Sequence, residues 1–215
     1  MSTRAFAGAA ALLISTAPAA WADLTAEGLW ADWQETYGRM GIGLTAEEEV
    51  GDGALTLTDL TVAIDMAGTG STVNYGTVTL TEQGDGTVRI DLPAETSITS
   101  EATVEGETVT QDITMTHEAL EMIASEDGDT RTYAITADSL RFDMEDASGG
   151  EAVDPIGAVF TLEGVDTTTD IVPDGEALTF DQVFAAAAFD LAMDGGTEAQ
   201  PFAATYRASD LSGTG

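Results

Sequence analysis

The chain has no cysteine and no lysine, a single histidine (His117) and only six arginines against 39 aspartates and glutamates. Without cysteine there is neither a disulfide nor a thiolate zinc site, so the fold must be held by core burial and sheet pairing. Without lysine the phosphate-cradling G-x-x-x-x-G-K-[ST] loop is impossible, and no G-x-G-x-x-G follows a strand. One histidine excludes H-E-x-x-H and the usual transition-metal ligand sets. As the sole base available to a serine nucleophile, His117 stands in TMTHEAL with no G-x-S-x-G elbow anywhere, which reads as a surface histidine without a catalytic role. The scarcity of positive charge excludes nucleic acid and anionic headgroups as direct partners, because a surface of this sign repels polyanions.

What is present begins with an export signal. Met1 to Ala22 has a short n-region with Arg4, an apolar run from Ala5 to Ala17, a break at Pro18 and the small-x-small ending Ala20-Trp21-Ala22. This pattern predicts cleavage before Asp23 and a periplasmic location, with residues 1–22 as signal peptide and 23–215 as a single β-rich domain. The run is too short for a membrane anchor, and no later stretch approaches spanning length. From Asp23 onward five arginines face 39 carboxylates, a formal charge of −34. The acids are scattered among Thr and Gly instead of being spaced as ligands. That favours solubility in a saline exterior over divalent-cation binding.

The stretch Asn74 to Leu92 sets the pattern for the rest. Val78 and Leu80 alternate with threonines, Val88, Ile90 and Leu92 alternate with Thr87, Arg89 and Asp91, and Glu82-Gln83-Gly84-Asp85-Gly86 supplies the turn of a hairpin. In Ala54 to Met66 the apolar residues change from odd positions (Leu55, Leu57) to even ones (Leu60, Val62, Ile64, Met66). A bulge or tight bend at Thr58-Asp59 is needed to keep both halves on one face. The same phase change recurs between Ile135 and Leu140 across Ala137-Asp138-Ser139, and between Leu162 and Val165 across Glu163-Gly164. Further turns are expected at Glu126-Asp127-Gly128-Asp129 and Asp194-Gly195-Gly196. The second joins Phe189-Leu191-Met193 to Phe202-Ala204-Tyr206.

Leu24 to Gly38 reads as a helix capped by Thr25 and stopped by Gly38, with Leu29, Trp30, Trp33 and Tyr37 forming a stripe that packs on the sheet. Glu118 to Ser125 fits helix or strand, and the following turn favours strand. Ser148 to Pro155 and Asp166 to Gly175 read as long loops. Thr179 opens T-F-D-Q, a capping box that predicts a short alanine-rich helix through Ala188. The chain stops after one last apparent strand with nothing to cover its edge, which is the expectation for a chain incomplete at its C-terminus.

The fold expected is therefore mainly β: a long twisted antiparallel meander of amphipathic hairpins with an N-terminal helix and one short later helix. No metal or cofactor is implied. The candidate functional surface is an apolar ligand face made by Val78, Leu80, Val88, Ile90 and Leu92, and the function it suggests is a non-enzymatic structural or lipid-binding scaffold of the envelope. Its candidate partners are lipid or another envelope protein. The competing classes are a carboxylate-dependent hydrolase, which needs a paired-acid cleft, and an acidic cation-binding surface protein.

The signal peptide, the LTAEGLWADWQ helix, the LTLTDLTVAID strand and the YGTVTLTEQGDGTVRIDL hairpin, in that order, resemble the exported alphaproteobacterial family called domain of unknown function 2125. The later hairpins share only its character. Members are generally longer than this chain, which implies further sequence after the last strand. No functional residue is transferred by the resemblance.

Overall fold

Thr25 ends an extended entry segment and starts α1 (Ala26–Arg39): its side chain accepts the Gly28 N–H at 3.0 Å, and Glu27 lies in the positive first turn. The computed structural model describes residues 23–66, 69–104, 107–144, 156–174, 177–197 and 200–215. The expected leader and the expected loop at Ser148 to Pro155 lie outside them. Helix α1 passes Gly38 by one residue, and Gly41, at φ 76°, makes the left-handed turn into the sheet.

Apart from the turns and short connections, the rest of the described chain is strand. In chain order these are β1 (Ile42–Val50), β2 (Ala54–Met66), β3 (Thr69–Asn74), β4 (Val78–Glu82), β5 (Val88–Asp91), β6 (Glu95–Val104), β7 (Glu107–Glu118), β8 (Glu121–Asp127), β9 (Thr130–Met144), β10 (Ile156–Asp174), β11 (Ala177–Thr197) and β12 (Gln200–Thr214). All pair antiparallel in one sheet. Register shows that several are halves of one strand. Leu57 opposes Val78 and Thr61 opposes Asn74, so β3 and β4 run along β2 in a single register, interrupted at 75–77. Likewise β7 and β8 share one register on β9, with Glu118 opposite Ser139 and Glu121 opposite Thr136. Between these, β5 and β6 form the third bent strand. The molecule is a meander of long strands, each bent near its middle.

The bends line up. Register places Ala119 opposite Asp138, Asp138 opposite Gly164, Gly164 opposite Ala187 and Ala187 opposite Asp210. Positive φ falls on alternate members of this row, at Ala119 (51°), Gly164 (60°) and Asp210 (55°); Asp59 (54°) and Gly76 (70°) continue it on the N-terminal side. Each such residue inserts one step into the period-two alternation, so a strand that points odd residues to the core on one side of the row points even ones there on the other. The phase changes at Asp59 and Gly164 are these bends, and the one at Asp138 falls in the same row at a residue that does not take positive φ.

Three sequence expectations are corrected. Thr179 to Ala188 is not a helix but part of β11, hydrogen-bonded to β10 on one edge and β12 on the other. A capping box satisfies one or two backbone groups, whereas pairing with β10, joined by β12 from Gln182 onward, satisfies most of the segment. Gln182 turns its amide to the Thr169 hydroxyl at 3.3 Å instead of back to Thr179. The alanines serve the bend row: Ala186 and Ala188 are buried, and the Ala187 Cβ is 3.0 Å from where a Cβ on Gly164 would stand. Asp166 to Asp174 is strand as well, because its threonines fit a pleated surface and pair with β9 and β11. Finally, Asp194, Gly195 and Gly196 do not make the last turn; they pair with Ala203, Phe202 and Pro201, and the hairpin continues to Thr197 opposite Gln200. The strands joined are those expected, and the register sets Leu191 opposite Tyr206.

The core lies under α1. Leu24, Ala26, Leu29 and Trp30 pack on Leu55, Leu57, Leu60, Val78, Leu80, Val88, Ile90 and Ala124. Hydrogen bonds fix the helix along its length. The Ala26 N–H donates to Glu82 Oε1 at 3.1 Å, the Leu24 N–H to the Gly86 carbonyl at 3.1 Å, and Trp30 Nε1–H to Glu48 Oε1 at 2.7 Å.

Candidate functional site

Beside the core, α1 and the sheet leave an apolar groove of about 800 Å³. The helix supplies one wall through Trp33, Thr36, Tyr37 and Met40. The floor is Leu60, Val62, Tyr75, Val78, Ile90, Leu92, Met122, Tyr133 and Ile135. The sheet curls far enough for Thr169, Ile171 and Pro173 of β10 and Leu178 and Phe180 of β11 to form the opposite wall. Met40 and Phe180 stand at the rim, 45% and 46% exposed. This volume is in the range of small-molecule sites, and the lining has the usual character of such sites, mostly apolar with few polar groups.

The candidate face is divided by the helix. Leu80 and Val88 are completely buried beneath α1 and do not reach the groove. Val78 and Ile90 are shared between the core and the groove floor, and Leu92 is half-buried on that floor. The far wall was hidden in the sequence because Ile171 lies in a segment that reads as loop and Phe180 in one that reads as helix. Only the phase rule applied across Gly164 could have put them on the face of Val165.

The polar end of the groove forms where α1 meets the β8–β9 hairpin. Arg131, with 12% of its side chain exposed, pairs through Nη2 with Glu126 and through Nη1 with Asp32 Oδ2 at 3.5 Å. Its Nε and Nη1 are buried and have no hydrogen-bond partner among the described residues. Burial holds the Asp32 carboxyl above the usual carboxylate range, and Glu126 and Glu35 add to this against the pull of Arg131 and Arg39. Two residues along β9, the Tyr133 hydroxyl accepts a hydrogen bond from Trp33 Nε1 at 2.8 Å, and burial pushes the phenol up to about 12.

That contact gives a testable consequence. Tyr133→Phe removes the acceptor of a half-buried indole N–H and is expected to cost about 1–2 kcal/mol of unfolding free energy in urea, with a shift in tryptophan emission. In the wild-type protein the phenol's share of stability is complete below the ordinary value of 10.0 and is lost as pH rises through about 12. The variant lacks that loss, so wild-type and variant stabilities converge over this window.

His117 is a structural residue. Its Nε2 lies 2.9 Å from the Pro93 carbonyl, a contact in which that nitrogen carries the proton, and its N–H donates to the Ala94 carbonyl at 3.3 Å. Both bonds brace the bend of the β5–β6 strand. Among the described residues no three His, Asp or Glu side chains lie close enough to hold a metal ion, and no helix is long and apolar enough to cross a membrane.

Fold and site together define a mainly-β protein built on one bent antiparallel sheet, with a groove between that sheet and a single helix. Neither a family model, nor a curated relative, nor a solved structure matches the chain.

Proposed function

We propose that this is an exported, non-enzymatic envelope protein that holds an acyl chain or similar apolar ligand in the groove beside α1. The observation that carries the reading is the groove itself, an apolar channel of about 800 Å³ bounded by helix and sheet in a chain so rich in carboxylates. Lining side chains such as Ile135, Ile171 and Leu178 gain burial when an acyl chain lies against them, at roughly 25 cal/mol per Å² removed from water. Asp32 and Glu126 both direct oxygens to Arg131, the arrangement of an ion-pair network tying helix to hairpin. The resemblance of the N-terminal half to an exported family, and the secretory pattern of residues 1–22, support the periplasm as its place of work.

The expected result is a saturable rise in fluorescence when the neutral dye N-phenyl-1-naphthylamine is added to the purified protein, together with acyl lipid in an organic extract of the native preparation. Ile171→Asp places a charge in the far wall and is expected to weaken dye binding by about tenfold or more. A protein that takes up no dye and yields no lipid refutes the proposal.

A further inference from the structure

The charged lining of the groove is confined to Asp32, Glu126, Asp129 and Arg131, all at the end where α1 meets the β8–β9 hairpin. Three carboxylates against one guanidinium give that end a formal charge of −2. The guanidinium is not offered to a ligand: Glu126 and Asp32 occupy it, and its Nε and Nη1 are buried. At this end stand Trp33 and Tyr133, locked together by their 2.8 Å hydrogen bond. Aromatic faces attract cations, and rings combined with carboxylates are how proteins recognise alkylammonium groups.

We propose that the groove takes a single-chain amphiphile whose head is a positively charged nitrogen, with its tail along Ile135, Ile171 and Phe180 and its head at Asp32 and Asp129 beside Trp33 and Tyr133. This deepens the groove reading and rests on it. A carboxylate or phosphate head would add negative charge to an end already negative, so anionic lipids are the disfavoured class.

Three amphiphiles with one tail and three heads separate the possibilities: dodecyltrimethylammonium, dodecyl maltoside and dodecanoate, each displacing N-phenyl-1-naphthylamine from the purified protein below its micelle threshold. The buffer holds about 0.5 M salt, where the screening length is roughly 4 Å and the general negative field of the chain is suppressed. The ammonium probe is expected to displace dye at about tenfold lower concentration than the maltoside, and dodecanoate to be the weakest. Asp32→Asn with Asp129→Asn should bring ammonium and maltoside to within about twofold, each probe being referred to that variant's own dye affinity. Glu47→Gln with Glu49→Gln, on the exposed part of β1, should leave the tenfold preference intact. Equal displacement by ammonium and maltoside, or a preference that survives Asp32→Asn with Asp129→Asn, overturns the assignment of the head. Failure of the dye to bind at all removes the groove reading and this inference together.

Discussion

Leu80→Ala is expected to lower the free energy of unfolding by about 2–5 kcal/mol, read as a lower urea midpoint with an unchanged slope. Leu80 is 0% exposed and is enclosed by α1 above, Leu55 on β2 and Ile90 on β5. Removing its isobutyl group withdraws apolar contact from every one of these elements, and the helix, tied at Glu82, Gly86 and Glu48, is not free to settle into the space. The matched control is Val183→Ala on β11. That valine is 58% exposed, so its replacement is expected to change stability by no more than about 0.5 kcal/mol. If the two variants prove equally stable, α1 is not the lid of the core.

Gly164→Val carries the second large effect. At φ 60° an L-residue costs about 1–2 kcal/mol, more when β-branched, and the new Cβ would stand 3.0 Å from the Cβ of Ala187 on a strand fixed by pairing on both sides. A loss of about 3 kcal/mol or more is expected in thermal or urea unfolding. Ala119 sits in the same row at φ 51° and carries a side chain there already. Ala119→Gly should therefore shift stability the opposite way, by up to about 1 kcal/mol, because glycine relieves strain that alanine bears. Opposite signs at two positions of one row distinguish a conformational demand from a general loss of packing.

The bends were the most legible part of the fold. Leu57 and Leu60, or Leu162 and Val165, cannot share a face on a regular strand, so the chain must depart from regularity between them. The N-terminal helix was legible from Thr25 and the spacing of its aromatics. The second half of β10 and the first half of β11 were not, since local signals there point elsewhere. Asp166 to Gly175 is rich in the residues of loops, and Thr179 with Gln182 and the alanines imitates a helix start. What decides both is contact with strands distant in sequence: Thr167 Oγ1 bonds the Val183 carbonyl at 3.0 Å, and the Thr132 hydroxyl bonds Asp170 at 2.5 Å. The site suffered the same fate. Its near side, Val78, Ile90 and Leu92, is visible as alternation, whereas the far wall and the polar end depend on curvature that brings β11 opposite α1.

The row of bends has a further meaning as a crease. A crease that crosses successive strands in register lets each hairpin be a repeatable module, in which only one position must be small or tolerate the left-handed region. Adding or deleting a hairpin at the β12 end would lengthen or shorten the sheet without disturbing the helix or the core beneath it. The length of the sheet and the stability of its folded nucleus are thereby separate properties of the sequence, free to vary independently.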